Sequence, residues 1–262
     1  MKVTIIQQDI IWNNPALNVQ RANALIDSCK GSDLYILPEM FSTGFCTDPE
    51  EIAEPAEGPS LQWMKKKASE TDAAIAGSIA VMENGNYYNR FYFVKPDKEV
   101  VFYNKKHLFT YGGEKMNFTA GDKRTIVEYR GVRILLEICY DLRFPVWARN
   151  RCDYDMIIYV ANWPVSRIKA WSALLVARAI ENQCYVAGVN RVGRNNECEY
   201  NGASAIIDPY GRVAAACPDN VECAVSADIN TEDLNAFRKK FPVLEDADSF
   251  FFGDAGSISS QT

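Results

Sequence analysis

Arg133-Ile-Leu-Leu-Glu-Ile-Cys139-Tyr-Asp-Leu-Arg-Phe-Pro145 is an apolar run that ends on a cysteine among charged residues. Ile134, Leu135, Leu136 and Ile138 suit a buried strand, whereas Asp141, Arg143 and Pro145 cannot comfortably continue one. Cys139 therefore falls where a strand stops and a turn begins. In layered α/β folds ligands meet the sheet at such ends, and turn amides or a nearby cation can ease a thiol toward its thiolate. A buried structural cysteine gives the same local pattern.

Working outward, the flanking segments repeat this form. Lys2–Ile10 reads as a strand, Asn18–Cys29 as an amphipathic helix stopped by Gly31, and Asp33–Leu37 as a buried strand closed by Pro38, with Glu39 at its end. A loop over residues 40–57 precedes a helix over 59–71. Strands over 74–82, 87–95 and 99–108, joined by tight turns at Asn84-Gly-Asn86 and Pro96-Asp-Lys98, form an antiparallel meander that carries Lys105 near its last end. Beyond the opening stretch come strands over 155–160 and 185–190 around a long helix over 167–184. Its apolar positions cover more than one stripe, as in a helix buried between layers or at a subunit interface. A hairpin over 203–217, a strand near 223–229 and a helix over 232–240 follow. Many strands with helices between strand groups bury best as two sheets face to face with helices outside, an α-β-β-α sandwich. No linker-like stretch or repeat divides the 262 residues, so a single domain over 1–252 with a polar tail over 253–262 is expected.

A net charge of -6 argues against nucleic acid or an anionic membrane surface as a partner. Lys65-Lys66-Lys67 reads as a solvated helix face. The opening residues MKVTIIQQDI read as a strand rather than a signal peptide, and no run approaches the ~20 apolar residues of a membrane span. Eight cysteines, several inside apolar segments, fit reduced thiols of a cytoplasmic protein better than a disulfide framework. With one histidine and no Cys-x-x-Cys pair, a zinc cluster is not expected.

Three strand ends thus carry Glu39, Lys105 and Cys139. A thiol of pKa ~8.5 needs a base or a cation to act as a nucleophile. Glu39 in a desolvated pocket could be that base, with its proton affinity raised to a useful level. Lys105 could balance its charge and meet the oxyanion of a tetrahedral intermediate beside the backbone amide of Tyr140. His107, two residues beyond Lys105, would point the same way on a strand, so spacing leaves it open as the base.

Leu37-Pro-Glu39-Met-Phe41, Tyr103-Asn-Lys105-Lys-His-Leu-Phe109 and Ile138-Cys139-Tyr-Asp-Leu-Arg-Phe-Pro145, in that order, resemble the three signatures of the nitrilase superfamily of carbon-nitrogen hydrolases. The resemblance continues through Asn162-Trp-Pro164, Arg178-Ala-Ile-Glu-Asn182, Asn190-Arg-Val-Gly193 and Phe241-Pro-Val-Leu244, nearly the whole chain. It implies the four-layer α-β-β-α sandwich, a homodimer or larger oligomer, Glu39 as base, Lys105 as oxyanion partner, Cys139 as nucleophile, a structural His107 and no metal or organic cofactor. It also matches Glu114, in Gly112-Gly-Glu114, to a second glutamate that positions the site. Within the family the wording is most similar to omega-amidases, which implies a small amide substrate carrying a distal carboxylate. Arg143 or Arg167 would read that carboxylate, with Phe118, Trp163 and Trp171 as apolar walls. An N-carbamoyl amino-acid amidohydrolase or a nitrilase would use the same three residues, and a binding protein without turnover would have no reason to keep them.

Overall fold

Alternation along two groups of parallel strands sorts their side chains into distinct layers. In the first group Val3, Ile5, Leu34, Ile36, Ala74 and Ala76 point one way and Ile6, Tyr35, Leu37 and Ile75 the other. In the second group Ile134, Leu136, Ile138, Ile158 and Val160 meet the first set, while Leu135, Ile157, Tyr159 and Ala161 face away. Each fully buried aliphatic side chain contributes about 1.5–3 kcal/mol, so two sheets with four apolar faces must be covered on both sides.

The computed structural model describes residues 1–195 and 197–252, and the tail expected over 253–262 lies outside them. One sheet runs in the order Cys223–Asp228, Lys2–Gln7, Leu34–Ile36, Ala74–Glu83, Asn86–Val94 and Val100–Asn104, with Glu54–Pro55 paired onto Ala74–Glu83. The other runs Val213–Ala216, Ala205–Ile207, Tyr185–Asn190, Met156–Ala161, Val132–Ile138 and Ile126–Tyr129. Helices Pro15–Ser28 and Pro59–Thr71 cover the first sheet through Ala22, Ile26, Leu61, Met64 and Ala68. Helix Ile168–Glu181 covers the second through Trp171, Leu175 and Ala179. Its close approach requires Gly188, where a Cβ would come within 2.4 Å of Leu175. The architecture is the α-β-β-α sandwich.

Three features differ from the sequence reading. The strand expected to reach Leu108 ends at Asn104, because the backbone turns for Lys105 to bond Asn89 and Gly121. Lys67 is buried and bonds Asp27 at 2.9 Å, so the lysine run is not uniformly solvated. A hairpin of Val192–Arg194 and Glu199–Asn201, unforeseen because its strands are short and polar, rises beside the strand ends.

Trp171 belongs to this packing and not to a substrate wall. It is fully buried in the helix–sheet layer, with its Nε1 donating to the Ala203 carbonyl at 2.9 Å. Trp171→Ala should cost about 3–5 kcal/mol of stability. A thermal or denaturant melt checks this.

Candidate active site

The carboxyl ends of the parallel strands of both sheets open on one side of the sandwich. Leu34–Ile36 leads through Leu37 and Pro38 to Glu39, Val132–Ile138 to Cys139, and Met156–Ala161 to Asn162. Met40 and Cys139 both sit in left-handed backbone, at φ 45° each. Such conformations cost about 1–3 kcal/mol per residue and persist only where the surroundings enforce them. At Met40 the enforcing contact is its amide, which donates to Ser78 Oγ at 3.0 Å.

At Cys139 the enforcing group is Asp141. Its Oδ2 accepts from the Ile138 amide at 3.0 Å and from the Tyr103 hydroxyl at 2.9 Å. Its Oδ1 accepts from the His107 amide at 2.9 Å, with His107 Nδ1 at 2.8 Å. The imidazole lies flat on Phe144, ring centres 3.7 Å apart, and does not line the cavity. His107 thus braces the turn, and its ring nitrogen is engaged by Asp141.

Glu39, Lys105 and Glu114 form a buried cluster. Lys105 Nζ donates to Glu39 Oε1 at 3.0 Å and to Glu114 Oε2 at 2.9 Å. Glu114 is held by the Phe109 amide at 2.6 Å. Asn89 Nδ2 donates to Glu39 Oε1 at 2.8 Å and to Glu114 Oε1 at 3.2 Å, while its Oδ1 accepts from the Ser78 hydroxyl at 3.0 Å. The second Glu39 oxygen, Oε2, accepts from the Asn162 amide at 2.8 Å. Burial would pull the Lys105 ammonium down, but Glu114 and Glu39 outweigh it and hold the ammonium well above its usual range. Burial pushes the Glu114 carboxyl up, against the pull of Lys105. Burial and then the Glu39 charge push the Cys139 thiol far up, with Lys105 opposing. The resting cysteine is therefore a neutral thiol that requires a base.

A cavity of about 500 Å³ opens onto Glu39, Lys105, Cys139, Tyr140 and Asn162. Arg143, Arg167 and Trp163 also line it; Phe118 and Trp171 do not. Phe118 is buried with Met40, Ile52, Ala80 and Leu108, so it packs beneath the Glu39 turn. Arg143 lies over Trp163 at 4.9 Å and Arg167 over Phe109 at 5.3 Å. Among the described residues neither guanidinium has a carboxylate partner, unlike Arg90, Arg124, Arg133 and Arg178. The unforeseen hairpin adds Arg194 and Tyr200 to the wall. Sequence reasoning did not find Asn89 or Ser78: Ser78 is a polar residue inside an apolar run, whereas Asn89 stands beside Arg90 in a mixed strand and gives no such signal. Among the described residues no group of three or more His, Cys, Asp or Glu side chains is arranged to hold a metal ion.

The profile of the carbon-nitrogen hydrolases matches residues 2–239. The omega-amidase YafV of Yersinia enterocolitica is 44% identical over 251 residues, covering 95% of this chain and 98% of that protein. The 2-oxoglutaramate amidase of Bacillus subtilis is 37% identical over 254 residues, covering 94% and 98%. A CN-hydrolase superfamily protein from Xanthomonas campestris, crystallised with an arsenic adduct in its active site, superposes with a TM-score of 0.94 at 40% identity, over 97% of this chain and 99% of that one. Nit3 of Saccharomyces cerevisiae, from branch 10 of the nitrilase superfamily, gives 0.83 at 25% identity over 92% and 94%.

The opposing charges on Cys139 yield a signed prediction. Glu39→Gln removes a negative neighbour that disfavours the thiolate and leaves Lys105 in place. The thiolate of the variant should appear at lower pH than in the parent, although amide hydrolysis is lost. Ultraviolet thiolate absorbance, with Cys139→Ala subtracted, measures this; an unchanged or higher titration midpoint would show that Glu39 does not act on the thiol.

Proposed function

The chain belongs to the carbon-nitrogen hydrolase family, and from that premise we propose that it is an omega-amidase. It hydrolyses the terminal amide of short dicarboxylic acid monoamides, such as 2-oxoglutaramate or succinamate, to the dicarboxylate and ammonia. Glu39 takes the Cys139 proton as the sulfur attacks the amide carbonyl. The oxyanion meets the Lys105 ammonium and the Tyr140 backbone amide. Glu39 returns the proton to the leaving nitrogen, ammonia departs and a thioester remains. A water deprotonated by Glu39 attacks that thioester, the acid leaves, and the thiol is restored. Glu114, bound to the same lysine, keeps Nζ in place without touching substrate.

The observation that carries this reading is the pair of guanidiniums, Arg143 and Arg167, without carboxylate partners. Two buried carboxylates against one lysine repel an anionic substrate, so an acid-bearing amide needs cations where its far end lies. Arg143 stacks over Trp163 and Arg167 over Phe109, and both arginines line the cavity.

Ammonia release from 2-oxoglutaramate and succinamate tests the assignment. Turnover of an N-carbamoyl amino acid or a nitrile, with neither monoamide hydrolysed, would reject it. Arg143→Ala and Arg167→Ala should each raise KM for succinamate by about 10–100-fold, the worth of a charged hydrogen bond. Amides lacking the distal carboxylate should show little of that effect.

We further infer a homodimer working in the cytoplasm. All eight cysteines are free thiols, and no helix among the described residues is long and apolar enough to cross a membrane. Ile180, which packs against Gly211, and Tyr210, next to that glycine in the chain, are both exposed, and these apolar groups suit a second copy. Ile180→Glu should convert the dimer to a monomer in sedimentation; a wild-type protein that sediments as a monomer would refute the dimer.

A further inference from the structure

Glu137 stands two residues before Cys139 and is completely buried. Strand alternation turns it to the same face as Leu135, into the layer beneath helix Ile168–Glu181, and its register partner is Tyr159. Among the described residues no donor reaches either of its carboxylate oxygens, and the Tyr159 hydroxyl is also unpartnered. Two cations lie near, and each keeps a buried Nε that reaches no acceptor while its terminal nitrogens are engaged elsewhere. Arg124 donates to Asp153 and the Arg149 carbonyl, and Arg178 to Glu181 and the Leu142 carbonyl. Tyr103 and Tyr154 complete the titratable groups around it.

The Glu137 carboxyl touches that of Asp141. The two differ in company: Asp141 has four nitrogen or hydroxyl groups around it and Glu137 has none. Two adjacent carboxylates do not both ionise, and the one supplied with donors keeps the charge. Burial and then Asp141 drive the Glu137 carboxyl well above the carboxylate range, with Arg124 opposing.

We propose that Glu137 is held as a neutral carboxylic acid sharing its proton with Asp141, and that this acid–carboxylate pair is a positioning element for the turn that presents Cys139. Asp141 holds the Ile138 amide at the foot of that turn and His107 beside it. A second charge on Glu137 would push against Asp141 and release the left-handed backbone at Cys139. The inference rests on Cys139 as the nucleophile, yet the pair itself can be tested without any substrate.

The test compares the full-length protein with Glu137→Gln and Glu137→Ala. The folded state retains a proton that an unfolded glutamate releases above pH ~4.3, so wild-type stability falls as pH rises from there toward the raised folded value. Glu137→Gln, neutral at every pH and still a donor to Asp141, should lack that decline. Its melting temperature relative to wild type should therefore climb steadily from pH 5 to pH 8. An infrared difference spectrum of wild type minus Glu137→Gln at neutral pH should contain a protonated-carboxyl band. Iodoacetamide alkylation of Cys139, read by peptide mass spectrometry, should be close to wild type in Glu137→Gln and slowed about tenfold or more in Glu137→Ala, since a displacement near 1 Å costs up to ~100-fold in reactions needing alignment. Absence of the carboxyl band, with Glu137→Gln less stable than wild type at all pH values, would overturn the proposal in favour of an ionised Glu137 neutralised by Arg124 and Arg178. Equal alkylation rates in all three proteins would overturn the positioning role.

Discussion

One ammonium shared by two buried carboxylates is the constraint on which the rest of the site depends. Lys105 cannot be left uncharged between Glu39 and Glu114, nor can both acids stay ionised without it. Removing such ions from water is expensive, and well-packed apolar residues would serve stability as well or better. Folding stability therefore does not account for the cluster. Burial and the excess negative charge together disfavour a thiolate at Cys139, and in the proposed reaction the same excess supplies the base.

Around that core the fold provides rigid anchors. Glu39 is fixed from three directions, by Lys105, by Asn89 and by the Asn162 amide, with Ser78 orienting the Asn89 side chain. The turn at Cys139 is fixed by Asp141 through the Ile138 amide, and Asp141 also ties down His107. The only histidine, a natural candidate for a thiol's base, is thereby committed to architecture.

The layers were legible in the sequence because the near-continuous apolar runs at Leu34–Leu37 and Ile134–Ile138 need cover on both faces. The placement of Glu39 and Cys139 followed from where those runs stop, but their relation to Lys105 came from the resemblance of three motifs. What stayed hidden was set by contacts remote in sequence. Phe118 and Trp171 look like pocket aromatics from their positions along the chain, yet neighbours in space bury both away from the cavity. Asn89 lies 50 residues from Glu39, and nothing near either residue announces their bond. The Val192–Asn201 hairpin is too short and polar to give a periodic signal.

The Glu39–Asn162 hydrogen bond joins the end of a strand in one sheet to the end of a strand in the other. Glu39 and its amide donor are thus mounted on opposite jaws, and the apolar seam between the sheets acts as the hinge stop that sets their gap. A methyl group added or lost at Ile36, Leu136 or Val160, all in the inter-sheet core, would be transmitted as a change of aperture at the strand ends. In such a construction the inter-sheet core works as a gauge as well as a ballast.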